Sequence, residues 1–343
     1  MRFCSTGLLM LIIAAPTFFA YAQQNSASSA KKTDSQIGNI NLPPRSPENW
    51  QGLTDLKTGL APRPPILVQG DEQPEFVRDM IGLQWRNDDP IELWVIRPRI
   101  AGKVPGKVPA ILYLYGFPDT SDRFRDNGWC KRATSDGFAA IGFVAAMTDY
   151  RFHNRPMKEW FVSELPEALG STTHDVQLIL NYLTQRGDLD IAHVGMFGMG
   201  SGGTIAILAA QADPRISVVD VLDPWGDWPD WLKNSPVVPS DERPKYLTKE
   251  FLQSVSALDP VSYLSALHTP NIRLQQTVSE PATPASAKEM IGAAASDRST
   301  VVRYQNATDL LKAWKVTGLS GWIKQQIRAQ TSEGQNGRIA KNE

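Results

Sequence analysis

Val194-Gly195-Met196-Phe197-Gly198-Met199-Gly200-Ser201-Gly202-Gly203-Thr204 is the stretch that decides the fold. An apolar run, Val194–Phe197, enters a turn dense in glycine, and the small apolar residues Thr204–Gln211 leave it. A strand that passes straight into a helix through a sharp turn needs this composition. Glycine accepts backbone conformations that other residues reach only with strain, and it lets strand and helix approach closely. The segment is therefore read as strand, tight turn, helix.

Similar short apolar runs lie on either side. Glu75–Arg86 and Ile91–Pro98 flank Asn87-Asp88-Asp89-Pro90, whose turn chemistry predicts an antiparallel hairpin. Val108–Tyr115, Ala139–Ala145, Ile216–Leu222, Ile272–Gln276 and Thr300–Tyr304 read as strands buried on both faces. Helical patterns alternate with them. Val176, Ile179, Leu180 and Leu183 fall on one face, after a capping-box-like Thr172-x-x-Asp175, and Ala285–Ala295 and Leu310–Arg328 read as the last two helices. A hairpin followed by alternating strands and helices predicts an α/β protein with a mostly parallel central sheet and helices on both faces. Its ligand site belongs at the carboxyl ends of the strands.

The turn resembles the nucleophile elbow, G-x-S-x-G, of the α/β-hydrolase superfamily. The order of elements over Glu75–Arg328 is similar to that family, most closely to its dienelactone hydrolase and prolyl-oligopeptidase-like branch. That resemblance implies an α/β-hydrolase fold with a Ser-His-acid triad. Gly198 and Gly202 take the family's two glycine places, and Gly203 its customary third. The nucleophile's place holds Gly200, and Ser201 comes one residue later, so the elbow is degenerate. Sliding the motif to put Ser201 in the middle loses the glycine two places before it. Gly198-x-Gly200-x-x-Gly203 also matches a dinucleotide-binding pattern, but the strand before it is not the first of a βαβ unit, where that motif belongs.

The resemblance places the acid in Thr277-Val278-Ser279-Glu280-Pro281, where Glu280 stands for the usual Asp; Asp223, after the preceding strand, is the second candidate. It places the histidine after the last strand, where the chain reads Gln305-Asn306-Ala307. Of the four histidines, His193 and His268 precede strands, at the wrong end of the sheet. His153 and His174 follow one and are the candidate non-standard bases. A serine hydroxyl without a positioned base is a poor nucleophile. The oxyanion place falls on Gly116 and Phe117, with the amides of Phe117 and Ser201 as donors. Asp223-Pro224-Trp225-Gly226-Asp227-Trp228-Pro229-Asp230-Trp231 sets three tryptophans over the same edge. Trp225 and Trp228 suit either stacking on a ligand or packing as a lid.

Three function classes follow. One is a fold that has lost the standard triad and binds a small molecule or protein partner through the former cleft. Another is a working esterase or peptidase-like hydrolase acting on ester-like substrates, with Ser201, His153 or His174, and Glu280 or Asp223. A non-hydrolytic enzyme using the oxyanion place is a third. No cofactor is expected, and no His/Cys cluster points to a metal.

The ends and the composition bound the rest. Arg2, the apolar run Leu8–Ala15 and Ala20-Tyr21-Ala22 read as a cleaved signal peptide, residues 1–22, so the chain is expected to be periplasmic or secreted, with no transmembrane segment after cleavage. Residues 23–60 read as a flexible polar and proline-rich segment, 61–329 as the α/β-hydrolase domain and 330–343 as a polar tail. Losing Cys4 with the signal leaves Cys130 alone, so the fold relies on its core and not on a disulfide; Cys130 itself reads as a buried thiol in a helix. With 42% hydrophobic residues, 21% charged and a net charge of −1, the chain has material for a core and no basic excess to suit nucleic acid.

Overall fold

The structure is a computed structural model, and it describes residues 63–85, 89–99, 107–117, 119, 121–147, 151, 165–269, 271–295, 297 and 299–339. In chain order these form β1 (Ile66–Glu72), β2 (Phe76–Leu83), β3 (Ile91–Pro98), β4 (Val108–Leu114), α1 (Asp122–Arg125), α2 (Asn127–Thr134), β5 (Ala139–Gly142), α3 (Leu165–Arg186), β6 (Leu189–Met199), α4 (Ser201–Ala212), β7 (Ile216–Leu222), α5 (Trp228–Asn234), α6 (Arg243–Tyr246), α7 (Lys249–Ser256), β8 (Asn271–Thr277), α8 (Ala285–Ala294), β9 (Thr300–Tyr304), α9 (Ala307–Thr317) and α10 (Gly321–Ile339). The strands make one sheet in the order β1-β2-β3-β5-β4-β6-β7-β8-β9. β1, β2 and β3 are antiparallel to their neighbours, and every pair from β5–β4 to β8–β9 is parallel.

The parallel strands carry two cores because alternate side chains point to opposite faces. On β4, Ala110, Leu112 and Leu114 join the layer beneath α3 and α4. Ile111 and Tyr113 join the opposite layer, with Cys130 from α2, Leu310 from α9 and Ile323 from α10. α10 sits hard against β6: a Cβ on Gly195 would lie 2.2 Å from Ile323 Cγ2.

The hairpin and the alternating strands lie where the sequence predicts them, but four details differ. β1 was not foreseen; it is an edge strand whose Ile66, Leu67 and Val68 are exposed, so burial left no alternation to read. The capping-box residues Thr172 and Asp175 sit inside α3, which begins at Leu165. Thr172 Oγ1 accepts the Ala146 amide at 3.0 Å, and Asp175 serves a buried ion network. Leu310–Arg328 is two helices, split at Gly318, whose φ is +75°. α10 crosses the expected boundary at 329/330 and runs on to Ile339, with Gln330 Oε1 accepting the Ser217 hydroxyl at 2.9 Å.

Candidate functional site

β6 ends and α4 begins with one residue between them, Gly200, at φ 56° and ψ −126°. This region of backbone space is essentially restricted to glycine unless surrounding structure enforces it. The turn is tied down from both sides. The Gly200 amide donates to Leu222 O at 2.9 Å, and Gly200 O accepts the amides of Gly203 and Thr204 at 2.9 and 3.2 Å. The flanking glycines serve close approach. A Cβ on Gly198 would meet Gly202 O at 2.3 Å, and one on Gly202 would meet Leu114 O at 2.3 Å. At Gly200 itself a Cβ has room, its nearest neighbour being Trp225 Nε1 at 3.5 Å.

Ser201 is the first residue of α4 and is fully buried. Its Oγ accepts the Phe117 amide at 3.0 Å. The two residues read as the oxyanion place are thus brought together, with the serine oxygen on one of the two amides expected to hold a substrate oxygen. Gly116 makes this possible, because a Cβ there would lie 2.4 Å from Met199 O.

The two acid candidates also meet, at the carboxyl ends of β7 and β8. Asp223 has a left-handed φ of 45°, and its Oδ1 accepts the Thr277 amide at 2.7 Å. Burial, reinforced by the charge of Glu280, pushes the Asp223 carboxyl up to about 7. Glu280 closes a local turn: Oε1 accepts the Ala282 amide at 2.6 Å and Oε2 the Thr283 amide at 3.1 Å. Lys288 of α8 reaches in beneath. Its Nζ donates to Thr277 O at 2.6 Å and Glu280 O at 2.5 Å, and stands 3.5 Å from Glu280 Oε2. Sequence reasoning did not single out Lys288. The available signal was a lysine three residues before Ile291, on the helix face that also carries Ala287 into the core.

The histidines do not gather at this site. His174 is buried in α3 and packs edge-on against Trp85, with ring centroids 5.7 Å apart. Trp85 follows β2, which β3, β5 and β4 separate from β6. Beside it, Asp175 accepts Trp85 Nε1 at 2.6 Å and Arg151 Nη1 at 2.7 Å, and Arg151 holds Asp89 through two further bonds of 2.9 and 2.8 Å. His193 lies within β6 towards its amino end, and His268 precedes β8. His153 lies outside the described residues. After β9, Asn306 caps α9, its Oδ1 accepting the Asp309 amide at 3.1 Å.

The tryptophan loop is buried, not presented to solvent. Trp225 is 3% exposed, Trp228 1% and Trp231 0%. Trp225 and Trp231 stack with centroids 4.7 Å apart at 32°, and Trp228 meets Trp231 edge-on at 5.6 Å. Of the two uses expected for Trp225 and Trp228, packing is the one realised. The loop is fastened by Thr204 Oγ1 to Trp225 O at 2.6 Å, and by Asp259, whose carboxylate accepts the amides of Asp227 and Trp228 at 3.1 and 3.2 Å.

Neither the models of known families nor the sequences of curated proteins match this chain. Solved structures do. An acetyl xylan esterase from Paenibacillus sp. R4 superposes with a TM-score of 0.61 at 17% identity, over 82% of this chain and 92% of that one. Acetyl xylan esterase 1 from Thermoanaerobacterium sp. JW/SL YS485 gives 0.57 at 15% identity, over 79% and 92%. The chain has the α/β-hydrolase fold. A Pyrococcus horikoshii acylaminoacyl peptidase matches with 0.53 at 12% identity, over 78% of this chain and 48% of that one. In serine hydrolases of this fold the nucleophile stands on such a strand-to-helix turn. Among the described residues no helix is long and apolar enough to cross a membrane, and no group of three His, Cys, Asp or Glu side chains is set to hold a metal.

Proposed function

We propose that this α/β-hydrolase-fold protein is exported and works by binding a small molecule or a protein partner at the carboxyl edge of its sheet, without Ser-His-acid hydrolysis. One observation carries the reading. Glycine holds the elbow's restricted conformation at position 200, while the neighbouring Ser201 hydroxyl is buried and engaged with the Phe117 amide. A nucleophile needs its oxygen exposed to substrate and a base within hydrogen-bond reach. Glu280 and Asp223 spend carboxylate oxygens on backbone amides, and Asn306, in the stretch where the resemblance puts the histidine, caps a helix. Function lives in such details and not in the fold.

A second reading, a hydrolase acting through Ser201, draws support from the esterases and the peptidase among the structural neighbours. The two separate in one experiment, fluorophosphonate labelling and p-nitrophenyl acetate turnover of the purified protein beside Ser201→Ala. The binding reading expects no label and no turnover above that of the denatured protein. Labelling and turnover that disappear in Ser201→Ala establish the hydrolase. Export is tested by the mass of the purified chain, expected to begin at Gln23.

A further inference from the structure

We propose that the carboxyl pair Asp223 and Glu280 receives a cation, and that the ligand is a small molecule with a primary ammonium group on an unbranched carbon, which binds the Asp223 carboxylate in exchange for its proton. This rests on the binding reading and names the ligand class for that site.

Three observations converge on it. The first is the balance of charge. Asp223 and Glu280 meet at the carboxyl ends of β7 and β8, and among the described residues the charged groups that act on Asp223 are Glu280 and Lys288. Lys288 is committed to the loop. Its Nζ donates to Thr277 O and Glu280 O, and stands 3.5 Å from Glu280 Oε2. Two carboxylates thus share one ammonium, and the group is one positive charge short whenever Asp223 ionises.

The second is an unspent oxygen. Asp223 Oδ1 accepts the Thr277 amide at 2.7 Å. Among the described residues no hydrogen bond reaches Oδ2, and that oxygen is not sealed from solvent. Asp223 as a whole is only 5% exposed, an opening that suits a slim donor head. Glu280 is the more open partner, its side chain 28% exposed, and its oxygens already accept the amides of Ala282 and Thr283.

The third is a hydroxyl held in reserve. Thr277 Oγ1 is buried without a hydrogen-bond partner, and it acts on the Asp223 carboxyl. A buried donor left unpaired is costly. A hydroxyl proton can rotate towards a neighbouring carboxylate, and such a bond to a charged acceptor is a strong one. The surroundings are therefore equipped for an ionised Asp223, while burial and the charge of Glu280 keep its proton in place up to about 7. A cation at Oδ2 resolves that conflict. Asp223 releases its proton to water, the ammonium supplies the missing charge, and its N–H groups donate to Oδ2 and to the open side of Glu280.

The test is titration calorimetry of the full chain with n-butylammonium, beside 1-butanol as the neutral control and trialanine amide, whose ammonium sits on a branched carbon. An alkylammonium keeps its charge between pH 6 and 8, so any pH dependence belongs to the protein. The expected result is saturable binding about ten-fold tighter at pH 8 than at pH 6, the change in ionised fraction of a group titrating at about 7. At pH 6 close to one proton per ligand is expected in the buffer, read from buffers of different ionisation enthalpy. Asp223→Asn is expected to abolish binding. Thr277→Val keeps the amide bond and removes the hydroxyl, and is expected to move the onset of binding to higher pH. No saturable heat with butylammonium at pH 8 overturns the proposal, as does equal affinity at pH 6 and pH 8. So does binding that survives in Asp223→Asn, an onset unmoved in Thr277→Val, or binding of 1-butanol or trialanine amide as tight as that of butylammonium. The serine-probe result is a separate readout: a labelled Ser201 refutes the binding reading, whereas absent butylammonium binding refutes only the ligand class.

Discussion

The elbow and the ends of β8 and β9 belong to one edge of one sheet, yet they are built in different ways. At the elbow the backbone fit is close: Gly198, Gly202 and Gly116 sit where a Cβ would strike a carbonyl oxygen at 2.3, 2.3 and 2.4 Å. At the ends of β8 and β9 side chains do structural work instead. Glu280 caps a turn and answers Lys288, and Asn306 caps α9. The difference teaches which features a fold enforces by itself. A strand-to-helix crossing cannot change its glycines without rebuilding the backbone, whereas a polar position at a strand end can be filled by any residue that satisfies the local amides.

Four measurements sharpen or break this comparison. The largest effect is expected for Gly202→Ala. Its Cβ meets the backbone of Leu114, which cannot rotate away as a side chain can, so the cost should exceed the roughly 1–3 kcal/mol of ordinary overpacking. Urea denaturation checks it, and a variant as stable as the parent would show the crossing to be looser than these distances imply.

Next comes the pH dependence carried by Asp223. Its folded value of about 7 lies above the ordinary 3.8, so the folded state holds a proton that the unfolded chain has released in between. The stabilisation is complete below about pH 4 and is lost as pH rises through 7, on the order of 4 kcal/mol in all. Asp223→Asn keeps an acceptor for the Thr277 amide and should flatten the fall in urea midpoint between pH 4.5 and 7.5. An unchanged slope would mean that Asp223 is already ionised across this range.

Gly200→Ser comes third. The side chain has room, so the loss should be that of the restricted backbone alone, roughly 1–3 kcal/mol. On the binding reading, a serine at this turn should still give no p-nitrophenyl acetate turnover. Turnover in this variant would show that a base is within reach after all. The smallest effect belongs to Asn306→Ala, about 1 kcal/mol for a lost helix cap. Thermal denaturation would read it, and a neutral result would mean that α9 does not depend on its cap.

Much of the architecture was legible in the sequence because burial writes periodicity. Ile216–Leu222 appears as a buried strand with the bounds expected of it. Thr300–Tyr304 also has its expected bounds, but it is a largely exposed edge strand and not the doubly buried one expected. β1 was illegible for the converse reason, being exposed along nearly its whole length. The elbow was legible residue by residue, since a glycine turn between a strand and a helix has few other uses. The tryptophan loop was not. Trp225, Trp228 and Trp231 suit a ligand platform and a packed lid equally, and only their burial against Leu258, Thr204 and one another separates the two. Lys288 was missed because its importance lies in what its Nζ reaches across the loop, which no local pattern records.

The seating of α10 also has a consequence for how the protein is made. α10 is the element that closes the sheet face carrying Ile111, Tyr113, Phe197 and Val218, and its Ile323 rests on the bare backbone of Gly195. A ribosome delivers these strands well before it delivers the helix. Until residues 321 onward emerge, this face has α2 and α9 beside it but lacks the cover of α10, and a partly bare apolar face is the kind of surface that chaperones hold and that aggregates otherwise. Folding of this face therefore waits for the last turns of synthesis, and a chain stalled short of Gly321 should be recovered bound to a chaperone or in the pellet.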